Sequence, residues 1–173
     1  MELLYTSTLN TDLDDAHSEF ECNNIFTTEY HTYKIFIRAI GNQSTYKTYR
    51  LMNSSGQITT STYAHDSIHF RNSGVANTDS TSTTGAGFMA DAHSLRDIRF
   101  QPGIVFTVFN PADANYKTVC RVEGISDYDA NWITFESNGS RESTLQAVTG
   151  FAYRAYGIGE DIEGMQIEVY GIK

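Results

Sequence analysis

His65 and His69 stand four residues apart and are the first pair in the chain that could do chemistry. On a helix that spacing puts both imidazoles on one face, where they could hold a metal ion; on a strand it spreads them over about 13 Å, too far for one ion. Their neighbours read as strand, so no metal site is expected. Asp12, Asp14 and Asp15 bunch as in a calcium loop but lack its glycine and its distant glutamate, which leaves a solvated turn. Glycoside hydrolysis would need two carboxylates about 5–10 Å apart across a cleft. No single strand carries such a pair, and Glu160, Asp161 and Glu163 cluster in a turn; Glu136→Gln and Glu163→Gln are the substitutions that would test the enzyme reading. There is no GxSxG, and no cysteine or serine has an obvious local base. TTGAGF, around Gly85 and Gly87, lacks the Lys-Ser/Thr of a phosphate loop. The expectation is a protein that is not an enzyme, with no catalytic residues, no cofactor and no metal.

Trp132 and the tyrosines could stack on sugar rings, but a single tryptophan among many tyrosines fits core packing better. Cys22 and Cys120 could pair, yet two distant cysteines make no disulfide framework, and buried free thiols are expected in a chain made in a reducing cytoplasm. The triplets beginning at Asn42, Asn53 and Asn138 match glycosylation acceptors and are read as turn composition.

The elements that would position these residues are strands. Residues 33–39 alternate Tyr33, Ile35, Ile37 and Ala39 against Lys34, Phe36 and Arg38, and 165–170 alternate Met165, Ile167 and Val169 against Gln166, Glu168 and Tyr170. Further strands are expected at 2–9, 20–26, 46–52, 57–63, 67–71, 104–110, 118–124, 131–136 and 150–155, with 104–110 central and covered on both faces. Asn53 to Gly56, Asn110-Pro111 and 138–140 read as turns, and 91–96 as a single helical turn. The polar stretch 72–87 reads as a long exposed loop. The organisation expected is an N-terminal arm or edge strand over 1–19 and one domain over 20–173. The fold class is all-β, a two-sheet antiparallel β-sandwich of jelly-roll type.

With 173 residues the chain is long enough to close one hydrophobic core without staples. A formal charge of −9 with 12 Lys plus Arg argues against nucleic-acid or anionic-membrane partners, which need a clustered basic patch. No apolar run approaches a membrane span, and the first residues lack a basic start followed by an apolar core, so synthesis in the host cytoplasm without secretion is expected. A closing strand paired into a sheet would tie down the end of the chain.

Several segments, NNIFTTEYHTYKIFIRAI, RLMNSSGQITTSTY, VFNPADANYKTV and TGFAYRAYGIGEDIEGMQIEVYGIK, follow one another in an order that resembles the small β-jelly-roll structural proteins of tailed bacteriophages, cyanophages included. Tyr30, Tyr33 and Ile35 match the early strand of that group, Asn110-Pro111 its later turn, and the end of the chain its closing strand. The resemblance implies a virion protein: a capsid cement (decoration) protein on the head surface, or a tail-fibre or receptor-binding module. It also implies a homotrimer whose partners are the major capsid protein and copies of itself, or else tail proteins or host surface glycan. So few residues precede the first firm strand that a fibre shaft has no room, which favours cement. The apolar Leu3, Leu4, Tyr5 and Leu9 could reach a neighbour as an arm, or could belong to a simple edge strand.

Overall fold

The computed structural model describes residues 1–9, 19–41, 46–59, 63–71, 76–83, 88–90, 103–128, 131–141, 145–156 and 162–173. The acidic turn at 10–15, the triplet at Asn42, the helical turn at 91–96, the glycines at 85 and 87, and Glu160 and Asp161 lie outside them. Among the described residues there are strands and connections and no helix. In chain order the strands are β1 (Glu2–Leu9), β2 (Glu19–Cys22), β3 (Thr32–Gly41), β4 (Tyr46–Asn53), β5 (Gly56–Gln57), β6 (Tyr63–Arg71) and β7 (Ala76–Thr83). They continue with β8 (Phe88–Ala90), β9 (Gly103–Phe109), β10 (Val119–Tyr128), β11 (Asn131–Arg141), β12 (Gly150–Tyr156) and β13 (Ile162–Ile172).

These strands form two antiparallel sheets packed face to face. The larger has eight strands in the order β1-β13-β3-β9-β10-β11-β6-β7; the smaller has the order β2-β12-β4-β5, with β8 also on β4. The pairings are nested: β1 with β13 and β3 with β9 in the larger sheet, β2 with β12 and β4 with β8 in the smaller. The chain therefore runs like a long hairpin wrapped across both sheets. Strands β5 to β7 are inserted between β4 and β8, and β10 and β11 between β9 and β12. Of these, β6, β7, β10 and β11 widen the larger sheet on one side.

Alternation decides which face meets the core. Tyr33, Ile35 and Ile37 of β3, Ile104, Phe106 and Val108 of β9, Cys120 and Val122 of β10, and Met165, Ile167 and Val169 of β13 are all buried. From the smaller sheet come Phe20, Tyr49, Leu51, Phe151 and Tyr153. Phe106 sits at the centre, its ring 5.0 Å from Tyr49 and 6.0 Å from Phe151. Each fully buried side chain of this size stabilises the fold by about 1.5–3 kcal/mol. Both cysteines lie in this core as free thiols.

Parts of the expected organisation change. Residues 2–9 form an edge strand, with one side on β13 and a bulge between Leu3 and Tyr5. The middle of the stretch read as a loop, 72–87, is instead strand β7, antiparallel to β6; its flanks, 72–75 and 84–87, are outside the described residues. An edge strand is held by backbone hydrogen bonds to one neighbour and needs no apolar alternation, which is why Ser, Thr and Asn suffice there. Asn138, Gly139 and Ser140 are likewise not a turn: they lie inside β11, opposite Asp66, His65 and Ala64 of β6. Among the described residues the return after Gly56 is brief: Gly56 and Gln57 pair with β4, and the Ile58 amide donates to the Leu51 carbonyl. Strand β9 is central, as expected; its outer side is covered unevenly, with Thr107 buried, Val105 half-buried and Phe109 exposed.

Candidate functional site

The outer face of the eight-stranded sheet carries the residues that the core excludes. Register places them in rows across the strands. One row runs Thr6, Glu168, Phe36, Val105, Glu123, Glu136 on β1, β13, β3, β9, β10 and β11. The next runs Leu3, Tyr170, Lys34, Thr107, Arg121, Asn138. Phe109 and Val119 oppose one another at the end of β9 and β10. Leu3, Val119 and Ile125 on this face are 52%, 43% and 47% exposed.

Directly opposite residues on antiparallel strands have Cβ atoms about 4.5–5.5 Å apart, so the register sets the carboxylates of Glu123 and Glu136 side by side. Arg121 Nη2 bridges them, 2.9 Å from Glu123 Oε2 and 3.1 Å from Glu136 Oε2. Asn138 Nδ2 donates to Glu136 Oε1 at 3.2 Å. Sequence reasoning missed this pair because its members lie on different strands; the hairpin register that joins them is its signal. The three side chains are each more than a third exposed, and one guanidinium serves both carboxylates. At the other end of the row, Tyr170 donates its hydroxyl to Glu168 Oε2 at 2.9 Å, which holds the phenol above its ordinary value. The Tyr170 ring meets Phe36 edge-on, with centroids 5.6 Å apart and planes at 90°.

Two shallow hollows lie along this row and meet at Gly103 and Val105. The first is lined by Phe36, Arg38, Gln166 and Glu168. The second is lined by Glu123, Ile125, Thr134 and Glu136. A Cβ built on Gly103 would meet nothing within 4 Å, so the missing side chain leaves the floor open.

The residues singled out as an attachment arm divide. Leu3 stands exposed on the outer face beside Tyr170. Leu4 and Tyr5 pack against the core instead, the Tyr5 ring 6.4 Å from Phe20. Leu9 ends β1 opposite Met165. His65 and His69 both lie on strand β6. Trp132 is in β11 opposite Asp127, and Glu163 lies in β13 at a register shift. Among the described residues no three His, Cys, Asp or Glu side chains group to hold a metal. Also among them, no helix is long and apolar enough to cross a membrane.

Burial pushes the Cys22 thiol up to about 11 and raises that of Cys120 as well, so neither is poised as a thiolate nucleophile. Fold and face together define an all-β sandwich with one broad, shallowly contoured sheet surface. Comparisons with protein-family models, with curated proteins and with solved structures found no match.

Proposed function

We propose that this chain is a structural protein of a tailed-phage particle, a cement protein of jelly-roll type that binds the head shell as a homotrimer. What carries the reading is the outer face of the larger sheet, where Leu3, Phe109, Val119 and Ile125 stand exposed on a surface broad enough for protein contact. The nested pairing of β1 with β13, β2 with β12, β3 with β9 and β4 with β8 supports the jelly-roll part. On this reading Leu3 acts with the sheet face, while Leu4 and Tyr5 serve the domain itself. A protein that binds only the assembled shell stabilises it by mass action, without chemistry.

The test is the position and copy number of the chain in purified particles, by electron microscopy with quantitative gel analysis. Hundreds of copies over the head are expected. A few copies at the tail would replace cement with the fibre or receptor-binding role. A Val119→Asp/Ile125→Asp double variant should fold as the parent does and fail to join the head.

A further inference from the structure

We propose that the free edge of β1 pairs with the same edge of a second copy of this chain, antiparallel about a two-fold axis. Among the described residues β1 ends the larger sheet, bonded to β13 on one side and to no strand on the other. A strand edge presents unpaired N–H and C=O groups, and sheets guard such edges with charge, short length or irregularity. The other edges of the two sheets carry these guards. Strand β2 has four residues, two of them Glu19 and Glu21; β5 and β8 have two and three residues; β7 carries Asp79 near its middle. In β1 the bulge between Leu3 and Tyr5 confines the irregularity to its start. From Tyr5 to Leu9 the strand runs in unbroken register against Val169 to Met165, with no charge, glycine or proline in YTSTL.

Such an edge accepts a neutral extended segment, and the chain presents one in β1 itself. Placing Ser7 on the two-fold axis sets Thr6 of each copy opposite Thr8 of the other. Directly opposite residues share a face, and Thr6 and Thr8 both stand exposed in the outer rows, beside Glu168 and Gln166 of β13. Opposed threonines are a favourable cross-strand pair. The charges stay apart. The two Glu2 residues fall at opposite ends of the seam, about 30 Å from one another at the rise of a strand. Glu168 lies one strand inward, so the two copies of it are about 14 Å or more apart, past the screening length at physiological salt. The two eight-stranded sheets become one continuous sheet whose outer faces look the same way. The contact is made by backbone at the rim of the sheet, not by its outer face, so it goes beyond the structural role proposed above and does not rest on it.

The test uses the isolated full chain. Sedimentation velocity at roughly 100 µM, a concentration suited to so small a seam, should show an even-numbered assembly, a dimer in the simplest case. Thr6→Lys/Thr8→Lys sets like charges opposite one another on exposed positions, so this variant should stay folded and associate at least about tenfold more weakly. Thr6→Glu/Thr8→Glu should do the same. An equimolar mixture of the two variants sets opposite charges face to face and should restore the dimer, which a mere loss of folding would not allow. The proposal is overturned if the parent is a monomer or an odd-numbered assembly, if either variant associates like the parent, or if the mixture fails to associate.

Discussion

A Cβ added at Gly150 would sit 2.1 Å from the Cys22 carbonyl oxygen, and one added at Gly171 would sit 2.5 Å from the Tyr30 ring. The first obstacle is backbone in a paired strand; the second is the buried Tyr30 ring, met at its Cδ1 and Cγ, which can turn about its side-chain bonds where backbone cannot. Gly150→Ala should therefore destabilise more than Gly171→Ala, with the latter costing about 1–3 kcal/mol, as denaturant titration would measure. Tyr30 donates to Glu2 Oε2 at 2.6 Å, and that bond pushes its phenol up to about 12. Burial raises the phenols of Tyr49 and Tyr153. The folded chain thus keeps protons that the unfolded chain releases near pH 10. The stability these groups contribute is fully present below about pH 10 and is lost as pH rises through their folded values. Denaturant midpoints between pH 9 and 12 should fall steadily, and Tyr30→Phe should flatten the decline. Burial of both cysteines predicts that neither is alkylated at pH 8 until the chain unfolds; rapid native-state labelling of either would contradict the packing.

Among the described residues, the Tyr63 hydroxyl ties β6 to the smaller sheet. Tyr63 donates to the Ile58 carbonyl at 2.9 Å and accepts from the Leu51 amide at 3.3 Å. Tyr63→Phe keeps the ring but leaves a buried amide unpartnered, for a loss of about 1–3 kcal/mol in denaturant unfolding. Phe106→Ala, in the middle of β9, should cost about 3–5 kcal/mol, whereas Phe36→Ala on the outer face should cost far less. Strands such as β3, β9 and β13 were legible because half their residues must be apolar, and that period survives in the sequence. Strand β7 was not, since a polar edge strand is specified by its neighbour's backbone. Nor was the 138–140 segment of β11, whose turn-forming residues are overruled by pairing on both sides. Partner choice was the deepest gap: nothing local says that Glu123 will face Glu136, because the hairpin register, not composition, brings them together.

At the scale of the whole molecule, the nested pairings make the sandwich a fold of distant contacts. Topologies dominated by such contacts fold in milliseconds to seconds, slowly for their size. Stopped-flow refolding should accordingly show a rate well below that of a helical domain of equal stability. The wrapping also has a consequence for the chain as it is made. Glu2 pairs with Gly171 and Leu9 with Met165, so β1 waits for β13 to be synthesised. At about 5–20 residues per second that wait is on the order of ten seconds or more, during which β1 has no partner for its backbone. Assembly in the cell is thus timed by translation, and a stalled or truncated product would carry a bare strand edge open to other chains.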